Sequence, residues 1–313
     1  MIRVGIIGAA GYTAGELIRL LVHHPQVQIV FAQSSSQAGL PVGEVHEGLT
    51  GETDLCFSAE ADLTSVDVLF LCAGHGKSTE FWKTHTRPEG LRVIDLAQDY
   101  RDEHDGYAYG LPEYQRNKIA NATLIANPGC FATAIQLALL PLVAAGKMKG
   151  EAHVTAITGS TGAGQQPSAT THFSWRTDNL SVYKPFTHQH LMEIQRNLQI
   201  PVTFVPIRGD FARGILAAVV VAWEGTQEEA ETLYKDYYRE AAFTYVSEKP
   251  VDLKQVVNTN KCLIHVDVHE SRMLITSVID NLLKGASGQA VQNMNLMFGL
   301  PETTGLQLKA SAF

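Results

Sequence analysis

An apolar run over residues 3–7 ends directly in Gly8-Ala9-Ala10-Gly11-Tyr12-Thr13-Ala14-Gly15-Glu16-Leu17, and this junction constrains the chain more than any other segment. Glycine tolerates the backbone angles of a sharp strand-to-helix turn. The helix that follows presents unpaired amides and the positive end of its dipole outward, where they can hold a pyrophosphate. Gly8, Ala10, Gly11, Tyr12 and Thr13 are therefore candidate dinucleotide contacts, although glycine also serves ordinary tight turns. Strand-like runs at 28–31, 68–72, 92–95 and 123–126 alternate with helical or loop segments. That alternation predicts an α/β fold with a doubly wound, Rossmann-type parallel sheet.

From residue 151 the pattern changes. Longer β-rich runs at 152–158, 202–206, 214–223 and 261–279 predict a second, α+β domain with a mixed or antiparallel sheet. Residues 281–300 carry Ala290, Val291, Met294, Met297 and Phe298 at helical spacing, after Gly285 and Gly288, and read as a long amphipathic helix. The 313 residues, 45% hydrophobic, exceed the usual size of one domain. A net charge of -8 offers no broad basic field for a nucleic-acid backbone. The opening residues carry no export signal, and the longest apolar stretch, 132–146, is broken by Gln136 and Pro141. It falls short of the roughly 20 residues that span a bilayer. A soluble, cytoplasmic protein without nucleic-acid or membrane partners is expected.

The second strand runs into Gln33-Ser34-Ser35-Ser36, where an NAD site usually places an acidic residue on the ribose 2′-hydroxyl. Hydroxyls at Ser34 and Ser35 accept a 2′-phosphate that a carboxylate would repel, so NADP(H) is the expected cofactor. The other reading is a plain polar turn. Of the four cysteines, none forms a Cys-x-x-Cys pair, and no His-Glu-x-x-His occurs, so no metal site is expected. Cys72, inside an apolar run, reads as a small buried hydrophobe. Cys130 differs, because Asn127-Pro128-Gly129-Cys130 leads into the helical pattern of residues 131–140. A thiol at a helix amino end is poised as a thiolate, with amides beside it for an oxyanion. Either a structural or a catalytic role fits the cysteine by itself. His188 and His190, in His188-Gln189-His190, are candidate acid/base partners, unranked by sequence.

Gly8-Ala9-Ala10-Gly11-Tyr12, Asp95-Leu96 through Arg101, Tyr109-Gly110-Leu111-Pro112-Glu113, Asn127-Pro128-Gly129-Cys130 and Asp280-Asn281-Leu282-Leu283-Lys284-Gly285 together resemble the N-acetyl-gamma-glutamyl-phosphate reductase family over nearly the whole chain. The resemblance implies reduction of an N-acylated glutamyl phosphate to the semialdehyde in arginine biosynthesis, with Cys130 as nucleophile. It implies that residues 1–130 and 281–313 form the NADP-binding domain and 131–280 the catalytic, substrate and oligomerisation domain, in a homodimer or homotetramer. Asn281 and Lys284 would border the nicotinamide, and Gly162, in Gly159-Ser160-Thr161-Gly162-Ala163-Gly164, would approach cysteine and cofactor. Arg101, Asn127, Ser160, Glu193, Arg208 and Arg213 make up the expected substrate-binding set, with Arg101 on the phosphate. The usual His-Arg-His-x-Pro-Glu is replaced here by His188-Gln189-His190-Leu191-Met192-Glu193, and Arg208 stands where the family more often has an uncharged residue or histidine. An acyl group bearing its own carboxylate, such as succinyl, would find a cation there; acetyl is the family default. Aspartate-semialdehyde dehydrogenase, a carrier-linked aminoadipyl-phosphate reductase and a nucleotide-sensing regulatory protein are the other readings.

Overall fold

The computed structural model describes residues 1–312. The chain divides into two compact units. Unit 1 comprises Met1–Pro128 and Ala286–Gln307; unit 2 comprises Gly129–Gly285 and, among the described residues, 308–312. Residues 281–285 and those after 307, expected with the nucleotide domain, thus fall in unit 2.

Unit 1 holds a sheet of seven strands: β1 (Ile2–Ile7), β2 (Val27–Gln33), β3 (Phe57–Ser58), β4 (Val68–Leu71), β5 (Arg92–Asp95), β6 (Ala108–Tyr109) and β7 (Leu124–Ala126). They lie in the order β3-β2-β1-β4-β5-β7-β6, and every pairing is parallel. Buried β-branched and aliphatic residues such as Val4, Ile6, Val68, Leu69, Val93 and Ile94 explain the near-continuous apolar runs, since helices cover both faces of such sheets. The order reverses beside β1, so the Gly8 turn sits at the carboxyl ends of strands where ligands bind such folds. β3 and β6, two residues each, are too short to carry a readable period.

The last helix of unit 1 departs from the expected amphipathic one. Leu283–Ser287 is a π-helical turn and the α-helix is Gly288–Met297, with all ten residues buried. It packs on the helices Tyr12–Leu21 and Pro112–Ala120. Its asparagines bond internally: Asn293 Nδ2 donates to Gly110 O (2.9 Å) and Asn127 Oδ1 (3.1 Å), and Asn295 Nδ2 to Thr304 O (2.9 Å). Polar residues at helical spacing were therefore a hydrogen-bonded interior rather than a solvated stripe.

Unit 2 holds a mixed sheet of seven strands: β8 (Ala152–Thr158), β9 (Ser181–Val182), β10 (Val202–Arg208), β11 (Ile215–Ala222), β12 (Thr244–Val246), β13 (Cys262–His269) and β14 (Arg272–Ile279). Their order is β12-β13-β14-β11-β8-β10-β9. The expected run 261–279 is two strands, an antiparallel hairpin turned at Glu270 (φ 54°). The helix Cys130–Ala144 packs on β11, β13 and β14, with every residue from Phe131 to Leu142 buried. Pro141 inside it cannot donate to Leu137 O. Tyr238 Oη donates there instead, and Tyr234 Oη to Ala138 O at 2.6 Å. Among the described residues no helix is long and apolar enough to cross a membrane.

Candidate active site

In unit 1 the glycine loop has the shape that a pyrophosphate requires. Gly8 has φ +74°, and a Cβ there would lie 2.9 Å from Ala73 N. Gly11 is the N-cap of the helix Tyr12–Leu21, which no described side chain caps and whose first turn holds no acid. Its amino end thus faces outward for an anion. Ala9 N donates to Gln33 O at 2.8 Å, tying the loop to β2. Ala10 and Thr13 are half-buried and Tyr12 is exposed. Gly15 is needed for a different reason, because a Cβ would meet His46 Nδ1 at 2.6 Å. Past β2, Ser34 is buried with its amide on Ser58 O at 3.0 Å. Ser35 is exposed and accepts from Gln33 Nε2 at 3.2 Å. These residues fit a dinucleotide: the turn has no room for a side chain at Gly8, and no carboxylate stands among residues 33–36.

Also in unit 1, Arg101 is buried, and its guanidinium donates to Asn127 O (2.9 Å) and Leu96 O (3.1 Å). Asn127 Nδ2 donates to Ala286 O at 3.0 Å. The Asn127 side chain is therefore held by Ala286 and Asn293, and its carbonyl by Arg101. Sequence reading did not single out Asn293; its only signal was a polar residue on an apolar helix. Cys72 is partly buried at the end of β4 rather than fully enclosed as expected. Burial, and secondarily Asp95, push its thiol above the ordinary range.

In unit 2, Cys130 is the first residue of its helix, with Gly129 as an extended N-cap (φ -70°, ψ 151°) that no described side chain caps. Gly129 N donates to Glu193 Oε2 at 3.1 Å. A Cβ on Gly129 would press on His190 Nε2 and lie 2.7 Å from Glu193 Oε1, so both side chains stand against the residue preceding the thiol. Both belong to the helix His190–Leu198. Gly285 is fitted to the cysteine as well, since its Cβ would come within 2.8 Å of Cys130 Cβ. Lys284, beside it in sequence, is fully buried.

The two histidines differ. His188 Nδ1 accepts the His190 amide at 3.2 Å, and its ring lies edge-on among Phe131, Tyr183 and Phe204 at centroid distances of 5.4, 5.7 and 5.4 Å. Burial, then the charges of Lys184 and Arg208, hold its pKa down at about 4. His188 is thus a neutral, enclosed ring at neutral pH.

Several expected substrate contacts make other bonds. Arg213 Nε pairs with the fully buried Asp280 at 3.1 Å. Asp280 Oδ1 also accepts from Leu282 N and Leu283 N, so the pair shapes the Asn281–Lys284 turn. Asn281 Oδ1 accepts from Gly214 N at 2.7 Å, and its Nδ2 donates to Thr161 Oγ1 at 3.0 Å. Gly159, Ser160 and Thr161 lie against 211–214: Ser160 N donates to Phe211 O at 2.8 Å. Gly162 is exposed at the tip of that loop. Arg208 stacks on Tyr183, its Cζ 4.4 Å from the ring centroid. Among the described residues no group of three or more His, Cys, Asp or Glu could hold a metal ion.

A doubly wound nucleotide sheet joined to a mixed-sheet unit that begins at a helix-borne cysteine defines the semialdehyde dehydrogenase class. The family descriptions “Semialdehyde dehydrogenase, NAD binding domain” and “Semialdehyde dehydrogenase, dimerisation domain” match residues 3–122 and 130–281. Aspartate semialdehyde dehydrogenase II from Vibrio cholerae, solved in complex with ASA, superposes with a TM-score of 0.77 over 96% of this chain and 98% of that one, at 20% identity. The Candida albicans aspartate semialdehyde dehydrogenase solved with NADP gives 0.72 over 95% and 98%, at 15% identity. These two share the fold. Proteins named N-acetyl-gamma-glutamyl-phosphate reductase from Parabacteroides distasonis and Phocaeicola vulgatus are 55% and 56% identical to it over 100% of both chains. The chain belongs to the N-acetyl-gamma-glutamyl-phosphate reductase family.

Proposed function

We propose that this chain reduces an N-acyl-γ-glutamyl phosphate, by default the N-acetyl compound, to the N-acylglutamate semialdehyde with release of phosphate, as an NADPH-dependent step of arginine biosynthesis. The observation that carries the reading is Cys130 at an uncapped helix start, set against His190 and Glu193, in a chain 55% identical end to end to named reductases. Gly8, Gly11, Tyr12 and Thr13 would hold the cofactor's pyrophosphate, Ser34 and Ser35 its 2′-phosphate, and Asn281, Lys284 and Gly162 would border the nicotinamide. Bound there, NADPH supplies the hydride.

The Cys130 sulfur attacks the acyl carbon, the bond from that carbon to the phosphate oxygen breaks, and a thioester remains on the protein. Amides at the helix start stabilise the oxyanion formed on the way. Arg101 offsets the charge of the departing phosphate. In the reduction half, His190 protonates the carbonyl oxygen. It takes the proton back as the carbon–sulfur bond breaks, releasing the aldehyde and restoring the thiolate. His190 is favoured over His188 because it stands against Gly129, whereas the Nδ1 of His188 is occupied by a backbone amide. Glu193, bonded to Gly129 N, positions the cysteine's approach. The match to a dimerisation domain supports a homodimer or homotetramer, and the biosynthetic role supports the cytoplasm.

The test is a steady-state assay in reverse, with N-acetylglutamate semialdehyde, phosphate and NADP. Turnover is expected, and Cys130→Ser should lower it by more than about 1000-fold while NADPH affinity stays near wild type. Substantial residual turnover in the variant would exclude a thioester on Cys130.

A further inference from the structure

Ala9, between the first two glycines of the nucleotide turn, is fully buried, and a buried carbonyl needs a donor. Among the described residues that donor is a side chain from elsewhere in unit 1: His46 Nε2 stands 2.8 Å from Ala9 O. A carbonyl oxygen only accepts, so Nε2 carries the proton. Three further contacts fix the ring. His46 ends the short helix Val42–Val45, with its amide on Val42 O at 2.8 Å. The ring packs beside Phe57, centroids 5.9 Å apart, and against the bare Cα of Gly15, where a methyl would meet Nδ1 at 2.6 Å. The excursion between β2 and β3 that carries the histidine is itself closed, by Val42 N on Leu55 O (2.8 Å) and Phe57 N on Leu40 O (2.9 Å). Ala9 is therefore anchored twice, its amide on Gln33 O at 2.8 Å and its carbonyl on His46.

Peptide geometry gives the second anchor a consequence. In a planar trans peptide the C=O and the following N–H point in opposite directions. Holding Ala9 O on His46 turns the Ala10 N–H away from His46, and neither group can rotate without the other. An amide fixed in this way beside a helix start is a donor for an anion. We propose that His46 is a positioning residue of the cofactor site: by holding Ala9 O it sets the Ala9–Ala10 peptide so that the Ala10 N–H donates to the dinucleotide's diphosphate. This rests on the dinucleotide reading of the turn and adds to it a residue 37 positions from Ala9, outside the glycine pattern. It also gives Gly15 its role, since any side chain there would displace the ring.

The experiment measures binding of NADPH and of adenosine 2′-monophosphate, which lacks the diphosphate, by fluorescence titration and displacement, beside the reverse assay. His46→Ala should weaken NADPH roughly 10- to 100-fold, as loss of a hydrogen bond to a charged group does. The KM for NADP should rise in step, with kcat at saturation within a few-fold of wild type and adenosine 2′-monophosphate binding unchanged. His46→Gln, whose Nε2–H replaces the ring donor, should restore most of the affinity. Gly15→Ala should weaken NADPH as His46→Ala does, and the double variant no further, because the two changes break one contact. A readout without cofactor is urea unfolding: Gly15→Ala should lower the midpoint in wild type and raise it in His46→Ala, where the methyl has room and favours the helix. If His46→Ala does not fold, His46→Gln and Gly15→Ala carry the test. The inference is overturned by unchanged NADPH affinity in His46→Ala or Gly15→Ala, by an equal loss on adenosine 2′-monophosphate, by His46→Gln as weak as His46→Ala, or by additive losses in the double variant. If wild type binds neither ligand, the dinucleotide reading fails and takes this one with it. If wild type binds NADPH but turns over no aldehyde, only the reductase reading fails, and the binding series still decides the role of His46.

Discussion

Two helices of unit 2 begin in opposite ways. The helix Gln227–Tyr237 starts with a capping box: Thr226 Oγ1 accepts the Glu229 amide at 3.2 Å, and Glu229 Oε2 accepts the Thr226 amide at 2.7 Å, with Glu228 adding charge in the first turn. The helix Cys130–Ala144 starts at a bare glycine with no acid in its first turn. One helix answers its own terminal amides with side chains, at a gain of about 1 kcal/mol. The other has its Gly129 amide answered by Glu193, from the helix His190–Leu198, and has no cap or acid of its own. In unit 1 the helix after Gly11 likewise has a glycine N-cap and no acid in its first turn, whereas Lys77–Thr84, also begun at a glycine, carries Glu80 in its first turn. What is given up in local stability at Cys130 is recovered by burial of almost the whole helix behind it.

The largest expected effect falls on the uncapped start. Gly129→Ala introduces a methyl that presses on His190 and lies 2.7 Å from Glu193 Oε1. It should lower turnover by about 100-fold or more, as misplaced reacting groups do, and stability by about 1–3 kcal/mol. Activity within a few-fold of wild type would mean that His190 and Glu193 do not need their place against Gly129. An intermediate effect concerns pH. Folded His188 holds a proton less tightly than an unfolded histidine, about 4 against 6.5. Falling pH therefore protonates the unfolded chain first: stability is intact above 6.5 and declines as pH falls toward 4, by at most about 3 kcal/mol. Urea midpoints across that window should fall more steeply for wild type than for His188→Gln, and parallel curves would contradict the assignment. The smallest effect is at the capped helix, where Thr226→Ala should cost about 1 kcal/mol in urea unfolding with kcat unchanged. A drop in kcat would show that the capped helix is not merely structural.

The parallel sheet was legible because its strands are short apolar runs separated by helices, and 92–95 was placed to the residue, as was 152–158 in the mixed sheet. The hairpin at Glu270 was missed because its turn carries neither glycine nor proline. The Gly288–Met297 helix was misread because periodicity cannot distinguish polar residues facing water from polar residues facing Gly110, Asn127 and Thr304. At the site, motif order singled out Cys130, His190 and Glu193. The proposed rank of the two histidines was not legible, since it rests on His188 Nδ1 accepting a backbone amide. Nor was the stack of Arg208 on Tyr183, which depends on a strand of two residues, Ser181–Val182, too short for any pattern.

The discontinuity of unit 1 bears on how the protein is made. Residues 1–128 leave the ribosome first, but the helix Gly288–Met297, buried at every position, is translated only after the Gly129–Gly285 segment of unit 2. At roughly 5–20 residues per second, unit 2 takes on the order of 10–30 s to synthesise. For that interval the surfaces of Tyr12–Leu21 and Pro112–Ala120 that this helix covers have nothing to cover them. A message stalled before codon 288 would therefore yield a product with apolar surface exposed and prone to aggregate.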